Sequence, residues 1–232
     1  MDELASRAKE LLEEKMDLEP SPLPQEISHI TLPLRLLDLK CYNWRADKVR
    51  KIYFMRMKVT VPSFDIFGMA IYPGSTLDIP SFVFDFSCTK KKVFSYINFV
   101  PLFDEPPYLE KYIEPMKKVY ETYTEFPRQT IREWMQPYVS PYAVYSFPLK
   151  SDLPELKECA LDYLQLYLEL FSRAEEIKDP AYADEVKKAR KLYLNNLATY
   201  DNSRKMLGRI IAVSYTHLRA HETVVRISYA VI

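Results

Sequence analysis

The stretch Phe64–Phe86, FDIFGMAIYPGSTLDIPSFVFDF, decides how the chain folds. It reads as two apolar strands, rich in aromatic and branched residues, joined by a turn at Pro73-Gly74. It also delivers one acid, Asp85, between Phe84 and Phe86 and close to Phe82. A carboxylate on so apolar a strand is one of two things: a solvated edge residue that alternation points outward, or a proton donor kept neutral by desolvation.

Working outward, the same extended pattern continues on both sides. Ile30 to Tyr42 and Val49 to Val61 read as strands before the central pair, with Trp44 to Lys48 as a turn. Lys90-Lys91-Lys92 marks a hairpin tip, and Val93 to Val100 returns as a further strand. Short turns between consecutive strands predict an antiparallel meander. Ahead of it, residues 2–16 form an amphipathic helix, followed by a connector holding Pro20, Pro22 and Pro24.

After Pro101 the pattern changes. Glu110 to Tyr123 and Arg128 to Met135 are expected to be helical, and Val139 to Phe147 a last strand. Asp152 to Lys178 is the strongest helical pattern: Leu156, Cys159, Ala160, Tyr163, Leu164, Tyr167 and Phe171 recur at helical spacing. A stop at Asp179-Pro180 separates it from a second helix over Tyr182 to Thr199. Strands first and helices later, without βαβ alternation, predict an α+β domain: a three-layer α/β/α sandwich with a central antiparallel sheet flanked by helices. One domain over residues 1–212 is expected. The segment 213–232, VSYTHLRAHETVVRISYAVI, does not continue this logic and reads as a non-native tail.

Composition excludes several classes. The chain has three glycines, Gly68, Gly74 and Gly208, so it holds no glycine-rich phosphate loop. Lys plus Arg equal Asp plus Glu at 32 each, which gives no global pull toward nucleic acid. Cys41, Cys88 and Cys159 lie far apart, and His29, His217 and His221 form no ligand set, so neither a disulfide framework nor a metal site is expected. No leader and no membrane span is read, which predicts a cytoplasmic protein. The 18 tyrosines and 12 phenylalanines suit either a ring-rich core or a pocket for a flat conjugated ligand.

Three patterns together resemble the ferredoxin-dependent bilin reductases. They are VRKIYFMRM (Val49–Met57), FDIFGMAIYPGSTLDIPSFVFD (Phe64–Asp85), and the helix pair DYLQLYLELFSRAEE (Asp162–Glu176) with KLYLNNLATYDNSRKML (Lys191–Leu207). The resemblance implies catalytic roles for Asp85, as a proton donor from the sheet, and for Asp201, facing the bilin from the helical side in an Asp-x-x-Arg pattern with Arg204. It further implies substrate contacts from Gly68, Phe82, Arg50, Tyr200, Asn202 and Arg204. The family's Glu position falls on Met55 or Arg56, its His position on Gly68, and its propionate-gripping Arg on Ser146 or Phe147. Propionates would then need another cation, among Arg50, Lys150 and Arg204.

The same resemblance implies no bound cofactor: biliverdin IXα is the substrate, delivered by a heme oxygenase, and electrons come singly from the [2Fe–2S] protein ferredoxin to a monomeric enzyme. Reducing one double bond takes two electrons and two protons, so the enzyme's share is general-acid chemistry. Two aspartates without the Glu and His favour phycoerythrobilin as product. The alternatives are a single two-electron reductase and a bilin-binding carrier without turnover. A basic docking face for ferredoxin is expected from Lys48, Arg50, Lys51, Arg56 and Lys58 together with Lys90–Lys92.

Overall fold

The computed structural model describes residues 1–24, 28–31, 37–60 and 63–201. One mixed-length antiparallel sheet forms its middle. The strands are β1 (Glu19–Pro20), β2 (His29–Thr31), β3 (Leu37–Ala46), β4 (Val49–Val59), β5 (Phe64–Pro73), β6 (Ser81–Cys88), β7 (Val93–Val100) and β8 (Val144–Ser146). From β3 to β8 they lie side by side in chain order, with β1 and β2 both paired to β3. The meander follows from hairpins too short for any crossover. At the β3–β4 turn Lys48 adopts φ 57°. Its carbonyl accepts from Gly74 N–H at 2.7 Å, and a Cβ on Gly74 would lie 3.0 Å from that oxygen, so the close approach calls for glycine.

Helices cover one face with α1 (Asp2–Lys15), α2 (Pro106–Tyr112), α3 (Met116–Thr122) and α4 (Leu153–Ser172), while α5 (Pro180–Tyr200) packs on the other. The chain therefore forms the three-layer α+β sandwich its patterning predicts. The first face is the main core. Phe67, Phe82, Phe84, Phe86 and Phe99 are buried there beneath Tyr163, Leu164 and Tyr167 of α4. Leu4, Ala8 and Leu12 of α1 join them, and Lys157–Glu3 and Arg7–Glu158 pairs tie α1 to α4.

On the other face Tyr193 of α5 closes over Ala70, Tyr72, Val83 and Val100. Arg190 fastens this helix by donating to the carbonyls of Gly74, Leu77 and Ile79 at 2.5, 2.8 and 2.9 Å. Asp179 caps its first turn by accepting from Ala181 N–H at 2.9 Å.

Several boundaries differ from the sequence reading, each for a local reason. The expected helix Glu110 to Tyr123 is two helices, because Pro115 lacks an N–H to continue the first. Arg128 bridges Ser146 at the sheet edge instead of starting a helix, and a 3-10 helix follows at Glu133–Tyr138. The long helix stops at Ser172, where its apolar repeat ends, instead of reaching Lys178. Strand β3 runs on to Ala46 through the span expected to be a turn, because its pairing with β4 persists there. The expected single strand from Ile30 to Tyr42 contains β2 and the start of β3, with 32–36 outside the described residues. So do residues 202–232, which hold the tail, Asn202 and Arg204. Among the described residues no helix is long and apolar enough to cross a membrane.

Candidate active site

Period-2 alternation on β6 separates its side chains. Phe82, Phe84, Phe86 and Cys88 enter the main core, while Val83, Asp85 and Ser87 take the opposite face, the one on which α5 packs over Val83. The register then builds a row across that second face. Asp85 stands between Gly68 on β5 and Tyr96 on β7, and beyond Gly68 come Met55 on β4 and Cys41 on β3. A Cβ on Gly68 would lie 3.7 Å from both Asp85 Oδ1 and Met55 Cε. The glycine thus leaves a gap directly beside the carboxylate.

Asp85 is half-buried, but its Oδ1 is fully covered and has no hydrogen-bond partner among the described residues. Desolvation, with a smaller contribution from the charge of Asp201, pushes its pKa up to about 7. This carboxyl is therefore poised to hold a proton near neutrality and to release it to a base on the same face.

The second acid arrives by a different route. Asp201 ends α5 as its C-cap, its N–H donating to Leu197 C=O at 3.0 Å. Its charge acts on Asp85, Tyr72 and Tyr193, which places it at this same face. Sheet and helix each bring one carboxylate to the layer between them.

Basic groups gather at one corner of that layer. The Arg50 guanidinium lies 5.7 Å from the centre of the Tyr72 ring. Lys51 is half-buried, with its ammonium 5.4 Å from the Tyr53 ring centre, and desolvation and then Arg50 lower its pKa to about 8. Across the face, buried Asn98 donates to Tyr96 Oη at 3.0 Å and to Tyr138 C=O at 2.7 Å, and accepts from Ser140 N–H at 3.0 Å. Since Tyr96 Oη accepts there, its own proton is left to serve another acceptor.

The structure brings together Asp85, Asp201, Gly68 and Arg50, and parts other residues from them. Phe82 is fully buried on the opposite face, stacked on Tyr167 at 5.4 Å, which places it in the main core. The rings of Phe84 and Phe86 likewise point away from Asp85, whose desolvation comes from its own face. Tyr200 is 53% exposed and leans on Trp134. Of the two candidates for the Glu position, Met55 faces the site. Arg56 lies beneath α1, bonded to Asp2, Asp65 and Ile66 C=O. Lys58 also pairs with Asp2, so the basic strand expected as a docking face is divided between two sides of the sheet.

Lys51, Tyr53, Tyr96 and Asn98 escaped the sequence reading as site residues. A buried-strand asparagine in VFSYINFV was the available signal for Asn98, since a polar group there must be satisfied. For the others the signal was register, which a single strand does not reveal. Among the described residues no cluster of three His, Cys, Asp or Glu could hold a metal ion.

A layer with an acid from each side suits proton delivery to a flat ligand. Comparison with known proteins agrees. The family model for ferredoxin-dependent bilin reductases matches residues 5–218. The chain belongs to that family, whose members are oxidoreductases that take electrons from ferredoxin. More particularly, it is 25% identical over 227 residues to phycoerythrobilin:ferredoxin oxidoreductase of Gloeobacter violaceus, covering 93% of this chain and 90% of that protein. It is also 25% identical to 15,16-dihydrobiliverdin:ferredoxin oxidoreductase of Nostoc punctiforme, covering 79% and 77%. In fold it resembles phytochromobilin synthase from tomato, solved in complex with biliverdin. There the TM-score is 0.83 at 19% identity, over 97% of this chain and 84% of that one.

Proposed function

We propose that this chain reduces biliverdin IXα to phycoerythrobilin in two successive two-electron steps, with the bilin lying between the Asp85 face of the sheet and α5. The observation that carries the reading is Asp85 itself: a carboxyl with a covered oxygen, unpartnered among the described residues, beside a side-chain-free glycine. Such an atom costs stability unless a ligand completes it.

Each double bond takes up two electrons, supplied one at a time by two reduced ferredoxins, and two protons. Asp85 gives a proton to the tetrapyrrole core at the C15=C16 bridge, where Gly68 lets the ring approach. Asp201 serves the A-ring diene from the helical side. Two acids on opposite sides of a flat molecule allow two separate sites of protonation, which favours two reductions over one. Arg50 and Lys51 supply positive charge for the propionates, a placement supported by the desolvated Lys51 ammonium. Water exclusion by α5 keeps the singly reduced bilin from side reactions.

A second reading stops after one two-electron reduction. The similarity to a protein named 15,16-dihydrobiliverdin:ferredoxin oxidoreductase favours it. An anaerobic assay with biliverdin IXα, ferredoxin, its reductase and NADPH separates the two. Phycoerythrobilin on chromatography supports the four-electron route, whereas a dihydrobiliverdin that accumulates supports the shorter one. Tight binding with no spectral change under reducing conditions, with biliverdin and with 15,16-dihydrobiliverdin alike, overturns both and leaves a carrier.

A further inference from the structure

The hairpin between β6 and β7 meets the segment after β8 at one end of the sheet. Lys92 bridges Leu149, and Lys150 N–H donates to Lys91 C=O at 2.9 Å. This stitching gathers Lys90, Lys91, Lys92 and Lys150 on one surface, all exposed. Among the described residues none of the four is paired with a carboxylate. The neighbouring acid, Asp152, is engaged by Leu149 N–H at 3.0 Å and the Ser151 hydroxyl at 2.9 Å. Beside α1, by contrast, Arg7 pairs with Glu158, Lys157 with Glu3, and Arg56 and Lys58 with Asp2.

The lysines surround two exposed apolar side chains, Phe147 at 39% and Leu149 at 58%. Phe147 begins a ladder of rings leading inward. Its centroid is 5.1 Å from Phe94, Phe94 is 5.6 Å from Tyr145, and Tyr145 is 5.9 Å from Tyr96. Tyr96 is the cross-strand partner of Asp85. From strand spacing and rise, Phe147 and Asp85 are about 12 Å apart along the sheet. A basic rim, an apolar centre and a short packed path to the ligand face fit a small acidic one-electron donor.

We propose that this patch is the docking surface for ferredoxin, an inference resting on the reading of the chain as a bilin reductase. At each encounter the iron–sulfur protein is oxidised by one electron and the bilin is reduced by one. Two encounters and two protons saturate one double bond. The rings fill the gap and are not themselves reduced.

The test is a triple variant, Lys90→Glu, Lys91→Glu and Lys92→Glu, with a milder Lys→Gln set as a check on folding. The KM for ferredoxin should rise about tenfold or more at low ionic strength, and the difference should shrink as salt is added. Biliverdin affinity by absorbance titration, and bleaching of bound bilin by dithionite, should stay at the wild-type level. An unchanged KM for ferredoxin in both variant sets overturns the proposal. Direct titration of ferredoxin onto the protein reads the surface without turnover. A wild-type chain that binds ferredoxin through the patch but leaves biliverdin unreduced would instead overturn the bilin-reductase reading.

Discussion

Along β6, Phe82, Phe84 and Phe86 point to one side and Val83, Asp85 and Ser87 to the other, and the two sides meet different surroundings. On the core side Phe82 has ring neighbours Phe84, Phe99 and Tyr167 at 5.4–5.9 Å and no exposure. On the far side Asp85 has a glycine for one neighbour and a covered oxygen that no described residue satisfies. Lys51 is half-buried there without an acidic partner among the described residues. The core side is finished as it stands. The other side holds Asp85 Oδ1 without a hydrogen-bond partner and Lys51 without an acidic one among the described residues, and such unmet needs mark where a ligand belongs.

The sharpest way to break this contrast is Asp85→Asn. Reduction should fall by about 10²–10⁴, the usual contribution of a positioned acid, while biliverdin still binds. In the native enzyme the acid-dependent rate should decline as pH rises through about 7, since the proton is then lost. Stability should fall with rising pH as well, over a lower range. The folded pKa lies above the unfolded value of about 4, so the cost of Asp85 is absent below pH 4, grows to pH 7 and then stays level. Full burial would make that cost about 4 kcal/mol, and partial solvent access reduces it to about 1–2 kcal/mol. Asp85→Asn should therefore melt higher than wild type at pH 8 and equally at pH 3.5.

Phe82→Ala probes the other side of the same strand. It should cost about 3–5 kcal/mol in urea unfolding, as large-to-small core changes do, with biliverdin affinity per folded molecule unaltered. A raised KM for bilin without loss of stability would mean that Phe82 touches substrate after all.

These two residues show how much the sequence disclosed. The meander, the helical layers and the central acid follow from period-2 and period-3.6 patterning and from turn residues, all of which act locally. Alternation alone already separates Phe82 from Asp85, because residues three apart on a strand face opposite sides. The resemblance that placed Phe82 in the site reflected position along the chain, whereas the fold sets its ring in the core. Met55, Tyr96 and Lys51 depend on which residue of one strand lies opposite which residue of the next. That register is set by hairpin turns and a shift near Val49–Lys51, and no single stretch of sequence displays it. The docking lysines were legible as a run at a hairpin tip, but Lys150 joins them only through the fold.

Asp201→Asn should weaken one reduction and spare the other. With Asp85 intact, 15,16-dihydrobiliverdin should accumulate while the second step slows by about 10–10². Equal loss of both steps would mean that the two acids share one task. Lys51→Met should raise the biliverdin Kd by about five- to tenfold, a typical loss for a charge-assisted contact. The same change should have little effect on binding of biliverdin dimethyl ester, which carries no carboxylate for the ammonium to hold. If ester and free acid suffer alike, Lys51 acts through packing.

Gly68→Ala is the mildest probe and the most discriminating. The added methyl would meet Asp85 Oδ1 and Met55 Cε at ordinary contact distance, and Gly68 is not among the residues with positive φ. The fold should accept it, with stability rising by about 0.4–1 kcal/mol as the unfolded chain loses freedom. If the gap beside Asp85 is where the bilin comes close, the same methyl should weaken biliverdin binding a few-fold and slow proton transfer from Asp85. A gain in stability with ligand affinity untouched would show that the gap is only a thin spot in the sheet, and the bilin would have to lie over another part of this face.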